Sequence, residues 1–249
     1  MRAQVAISAY QQAISYVQQG KPGDAIPILE RMLADSPADL RARNLIGIAL
    51  SAAGRRAEAN KHFQRALAAD PKFYPALKNM ALNELALGLT ADARSHFEQA
   101  LAIAPGDLAS HLGLADIEYR SGSFAAAIAH YGQSGDLYFK DPHALVSYAR
   151  ACLETKQPEK ARLAMAAFPA AAEPGIHFEA GLLLARLEDY PAAAQQFRLA
   201  NGAPDRYQAG FNLAAPIEGR VGPESATVRR EIAEARGRSK STTRLDGPG

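Results

Sequence analysis

The sequence predicts an all-α fold built from one repeated pair of helices. Three observations carry that prediction. Gly20, Gly54, Gly88 and Gly122 stand 34 residues apart. Ala25, Ala59, Ala93 and Ala127 keep the same step, and so do Pro37, Pro71 and Pro105. Glycine suits the left-handed turn that ends a helix, and proline stops the next one from continuing. Between these marks the apolar residues recur at helical spacing. Alanine, the best helix former, is abundant, and no segment alternates with period two as a half-buried strand would.

The first unit begins near Ala6. Ala9, Ala13 and Tyr16 share one face of its first helix at i, i+4 and i+7. Gly20 ends that helix, and Pro22 suits the first turn of the second. The second helix is expected to turn Ala25, Leu29, Met32 and Leu33 inward. The unit from Leu40 to Pro71 repeats this plan most clearly, with Ile46, Gly47 and Leu50 before the Gly54 turn and Ala59, Phe63, Ala66 and Leu67 after it. The third unit follows in register. The fourth starts near Leu108 and becomes irregular between Gly132 and Lys140. The fifth starts near Pro142, with Lys156 where the turn glycine stood. The sixth starts near Pro174, and a seventh begins at Tyr207 and stops at Pro216. Residues 1–205 are therefore expected to hold six units, 206–218 the first helix of a broken seventh, and 219–249 a basic, flexible tail in which Thr227–Gly237 could form one short helix.

This pattern resembles the tetratricopeptide repeat, a 34-residue helix–turn–helix unit. The family favours a small residue at the eighth position, Gly at the fifteenth, Ala at the twentieth, an aromatic at the twenty-fourth, Ala at the twenty-seventh and Pro at the thirty-second. The second unit has Gly47, Gly54, Ala59, Phe63, Ala66 and Pro71, and the third has Ala81, Gly88, Ala93, Phe97, Ala100 and Pro105. The family's large aromatic at the fourth position is missing: Ala9, Arg43, Leu77 and His111 stand there. The resemblance implies an α-solenoid of stacked repeats, a right-handed superhelix with a concave inner face, and stability summed over neighbouring units.

It also implies where a partner would lie. Family ligands usually rest along the first helices, at the second, fifth, ninth, twelfth and thirteenth positions. Those positions give Ile7, Tyr10, Ile14 and Val17, then Arg41, Asn44 and Ile48, then Lys78, Leu82 and Leu85. Leu112, Asp116, Tyr119 and Arg120 follow, then His143, Val146 and Arg150, and finally Phe178, Leu182 and Arg186. The partner-binding residues expected to matter most are Tyr10, Ile14, Asn44, Ile48, Lys78, Leu82, Leu112, Asp116, Tyr119, Arg120, Arg150, Phe178 and Arg186. A mixture of aliphatic, aromatic and basic side chains is the make-up of a protein-binding surface. The clamp with which co-chaperone members hold a C-terminal carboxylate is absent. Its Lys–Asn pair is replaced by Tyr10 and Ile14 in the first unit and by Lys78 and Leu82 in the third.

Charge and chemistry narrow the function further. The net charge is +2. The tail from Gly219 holds seven Lys/Arg against four Asp/Glu, which leaves 21 basic and 22 acidic residues before it. A folded part so nearly neutral lacks the basic face of a nucleic-acid binder. Cys152 is the one cysteine, so no intrachain disulfide is available. The N-terminus is too polar for a signal peptide and no run of 18 apolar residues occurs, so a cytoplasmic location is expected. His62, His96 and His130 form a ladder at the twenty-third position. Repeats stacked on the order of 10 Å apart hold such histidines too far apart to share a zinc, which needs nitrogens at about 2.1 Å. Cys152 has no predictable base beside it, and no nucleophile elbow, phosphate loop or metalloprotease motif is present. No enzyme, cofactor or metal is expected. The expected function is a non-catalytic scaffold that holds a peptide or protein in its groove. The alternative is a repeat segment of a larger enzyme or assembly machine. Phe211 and Leu213 on the broken seventh unit predict either that Thr227–Gly237 folds back over them or that this end self-associates.

Overall fold

A computed structural model describes residues 2–200, with side-chain surroundings from residue 8 onward. The seventh unit and the tail helix lie outside the described residues, as do both expectations for capping; Ile7 lies in the first helix, ahead of the described side-chain surroundings. Among the described residues every regular element is a helix. They run in order α1 (Arg2–Gln18), α2 (Pro22–Asp35), α3 (Leu40–Ala52), α4 (Arg56–Ala69), α5 (Tyr74–Ala86), α6 (Thr90–Ile103), α7 (Leu108–Arg120), α8 (Phe124–Gln133), α9 (Leu137–Lys140), α10 (Pro142–Glu154), α11 (Pro158–Ala166), α12 (Pro174–Arg186) and α13 (Tyr190–Leu199). The fold is an all-α repeat solenoid. The chain divides into two compact units, Met1–Ile117 and Glu118–Gly249, with the boundary inside α7.

The turn between paired helices explains the glycine ladder. Gly20, Gly54, Gly88 and Gly122 all have φ between 70° and 82°. That left-handed region is open to glycine and costly to residues with a Cβ. Lys156 and Glu188 stand at the same register position and adopt it too, at φ 60° and 64°. The turn geometry is thus kept even where the glycine is lost, because the flanking helices dictate it.

In the first unit, α1 packs on α2, α3 on α4 and α5 on α6, while α2 joins α3 and α4 joins α5. The first helices of neighbouring pairs also touch, α1 with α3 and α3 with α5. The core is made of Ala13, Leu29, Ile46, Phe63, Leu77 and Phe97, each almost fully buried. Met32 and Leu33, expected inside, are half-buried against that core. Small residues let the helices meet. A Cβ added to Gly47 would collide with the Phe63 ring, and one added to Gly113 with the Phe97 ring. A partly buried polar bridge centred on Asn83 crosses three helices: Ser51 Oγ donates to Asn83 Oδ1 at 2.7 Å, and Asn83 Nδ2 donates to Asn60 Oδ1 at 2.6 Å and to the Arg56 carbonyl at 2.9 Å.

In the second unit, α10 packs on α11, α12 on α13, and α10 also meets α8, α9 and α12. Phe178 and Phe197 face each other with ring centroids 5.8 Å apart. The segment after α8, irregular in sequence, contains a single extra helical turn, α9. Its Tyr138 is buried between Tyr131 and Tyr148, with centroids 5.7 and 4.8 Å away. These rings hold the inserted turn in place, where the repeat pattern offers no register for it.

Candidate functional site

The first helices carry the expected groove positions, and the structure sorts those residues into three groups. The first group lies in the core. Phe178 is 0% exposed and packs on Phe197, so it lines no solvent groove. This corrects the sequence expectation: the α12–α13 pair crosses closely enough at Gly181, where a Cβ would stand 2.6 Å from the Phe197 ring, to enclose Phe178 as well. Asn44 is also buried, and its Oδ1 accepts a hydrogen bond from Asn79 Nδ2 at 3.0 Å across α3 and α5. Val146 and Leu182 are buried too.

The second group is held in ion pairs within the protein. Lys78 Nζ lies 3.7 Å from Asp107 Oδ1 and 3.3 Å from the Tyr74 hydroxyl, and stands over the Tyr74 ring at 5.2 Å. Tyr74 in turn donates to Asp107. Asp107 also accepts from the Ser110 backbone N–H at 2.8 Å and the Ser110 hydroxyl at 2.6 Å. Burial alone would raise the Asp107 carboxyl; these donors outweigh it and hold the group below the usual range. Arg150 pairs with Glu179 of α12. Burial would pull its guanidinium down, but Glu179 and the Tyr119 hydroxyl overcome that and hold it up. Arg186 Nη1 donates to Glu154 Oε1 at 2.9 Å. The two arginines therefore tie α10 to α12 in opposite directions.

The third group is open to solvent at least in part. Leu82 is 41% exposed. Ile14 and Ile48, at the same ninth position of the two preceding repeats, are half-buried, as are Tyr10 and Val17 on α1 and Leu85 on α5. Because α1, α3 and α5 lie side by side, Ile14, Ile48 and Leu82 make one aliphatic row across three helices. Arg41 is exposed at the start of α3, near Tyr10, and forms no ion pair among the described residues. Leu112, Asp116 and Tyr119 are half-buried on α7, and Arg120 is exposed. Tyr119 faces Phe124 at 5.9 Å.

The histidine ladder has no common environment. His96 Nδ1 bonds Glu84 Oε2 at 2.8 Å, and that partner raises its pKa against the opposing effect of burial. His62 is pushed down by burial and by Arg43 and Arg65. Among the described residues no group of three or more His, Cys, Asp or Glu comes together as metal ligands would. Cys152 is fully buried, and burial pushes its thiol up, away from the thiolate. No helix among the described residues is long and apolar enough to cross a membrane.

Sequence reading missed the acidic partners Asp107, Glu154 and Glu179. One signal was available: Glu154 and Arg186 occupy the same register position in successive repeats, so opposite charges there meet across the interface.

Two profiles described as tetratricopeptide repeat match the chain, one over residues 16–82 and one over residues 78–134. A comparison with curated proteins finds no match. Among solved structures, the chain is similar to PilF from Pseudomonas aeruginosa, with a TM-score of 0.70, 18% identity and coverage of 81% of this chain and 95% of that one. It is similar to PilW, described as a widely conserved type IV pilus biogenesis factor, with a TM-score of 0.68, 19% identity and coverage of 82% and 97%. It is also similar to YrrB, described as a TPR protein with an unusual peptide-binding site, with a TM-score of 0.58, 15% identity and coverage of 77% and 98%. At these identities the likeness is one of fold.

Proposed function

The chain is a tetratricopeptide repeat protein, and we propose that it is a non-catalytic scaffold that binds a peptide or protein segment on the first-helix face of its first compact unit. The observation that carries the reading is the aliphatic row Ile14, Ile48 and Leu82. A side chain at a helix–helix seam is ordinarily covered or polar, and Leu82 is neither. Apolar area left in water at a repeated position favours a partner that covers it, at about 25 cal/mol per Å². The second unit supports binding less well, because Arg150 and Arg186 are committed to Glu179 and Glu154 and Phe178 is in the core.

The test is a selection of peptides from a phage-displayed random 16-residue library on the whole protein, followed by comparison with two variants. Leu82→Glu is expected to weaken the selected peptides at least tenfold. Leu163→Glu, at a leucine 73% exposed on the second helix α11, is expected to leave them unchanged. Binders that ignore Leu82→Glu, or no binders at all, would remove this face as the site.

A further inference from the structure

We propose that the second and third repeats respond to mild acid in opposite directions: acidification loosens the α3–α4 pair at His62 and tightens the α5–α6 pair at His96. The two histidines hold one register position, on the second helix of each pair. What surrounds them differs. His96 Nδ1 meets the Glu84 carboxylate at 2.8 Å, and Glu84 is only 3% exposed, so the acid is shut inside the seam between α5 and α6. His62 Nδ1 is buried but has no hydrogen-bond partner among the described residues. At the register position of Glu84 the second repeat has Leu50, 2% exposed, which can accept nothing.

The charged neighbours differ in the same sense. Arg43 on α3 and Arg65 on α4 lie close enough to His62 to oppose its protonation. In the third repeat the same two register positions hold Leu77 and Gln99, which carry no charge. The acids near His62 are Glu30 on α2 and Glu58 on α4. Glu58 is already paired with Arg55 at 2.7 Å, and both acids act more weakly than burial and the two arginines. From α5, which also packs against α4, the charged groups are Lys78 and Glu84, held by Asp107 and His96. Around His96 the acids are Glu84 from α5 and Asp92 from α6. A neutral His62 therefore suits its seam, whereas a protonated His96 suits its own.

Linkage sets the direction at each seam. His62 is held below the ordinary histidine range by burial first, then by Arg43 and Arg65. Folding favours its neutral form. Its contribution is complete above the unfolded histidine pKa of about 6.5 and is lost as pH falls below that, through the folded value. His96 is held above the ordinary range, chiefly by Glu84, so its contribution grows as pH falls toward about 6.5. Stacked repeats hold together through contacts with their neighbours, and one pair can open without unfolding the rest. Below about pH 6.5 the α3–α4 pair is the one that yields.

Hydrogen exchange on the whole protein tests this, read helix by helix at about pH 7.5, 6.5 and 5.5 and corrected for the intrinsic exchange rate. The opening constant of α3 and α4 amides is expected to rise roughly threefold or more between the two lower pH values, while that of α5 and α6 falls between the two higher ones. His62→Gln should remove the first change and keep the second, and His96→Gln should do the reverse. Imidazole NMR titration of the unaltered protein should place His62 below about 6.5 and His96 above it. Equal shifts in all four helices, an α3–α4 response that survives His62→Gln, or a His62 that titrates at or above about 6.5 would overturn the proposal.

Discussion

At the residue scale, the repeat turn separates what a position requires from what stands there. Four repeats meet the left-handed turn with glycine, and the fifth meets it with Lys156. Lys156→Gly is therefore expected to stabilise the protein by about 1 kcal/mol, the steric cost of a left-handed residue less the added freedom of the unfolded chain. Urea unfolding checks this, and no gain would mean that the turn does not strain the lysine backbone. The Glu84–His96 pair gives a second residue-scale expectation. His96 has a folded pKa raised above its ordinary value, chiefly by Glu84. Its protonated form is thus favoured by folding. The contribution is complete below the unfolded histidine pKa of about 6.5 and fades as pH rises through the folded value. The difference in melting temperature between wild type and His96→Gln should be largest near pH 6 and shrink toward pH 8.5. A difference that is flat or grows with pH would contradict the pairing.

At the scale of elements, each repeat depends on a small residue facing a large ring. Gly47→Ala is expected to cost about 1–3 kcal/mol, because the new Cβ would collide with Phe63 in a close-packed seam. Adding Phe63→Leu should recover part of that loss, and a double mutant that sums the two single costs would refute the contact. These steric pairs were legible in the sequence as ladders of Gly, Ala and Phe, since helical period and repeat period both mark them. The polar couplings were not. Arg150 and Arg186 read as ligand-binding cations because periodicity places a residue on a face without naming what the adjacent helix puts opposite. Phe178 was misplaced for a related reason: the sixth pair crosses so closely at Gly181 that a nominal groove position is enclosed. A double-mutant cycle on Arg150→Ala and Glu179→Ala should give a coupling of roughly 1 kcal/mol, for a pair only a quarter exposed. The Arg186–Glu154 pair, about one third exposed on each side, should give less.

At the scale of the molecule, the all-α repeat fold was legible because each repeat restates the same local rules and its neighbours reinforce them. The proposed binding face was legible only in outline. Of the thirteen residues expected there, the apolar row on α1, α3 and α5 retains open surface, while Phe178 and Asn44 are buried and Lys78, Arg150 and Arg186 are paired. In the proposed function this row receives a partner. Methyl NMR on protein labelled at isoleucine and leucine tests it most directly, with a peptide from the library selection added in steps. The methyl signals of Ile14, Ile48 and Leu82 are expected to shift together and saturate with one affinity, while that of Leu163 stays in place. Shifts confined to Leu163 or other outer-helix methyls, with the row unmoved, would contradict it.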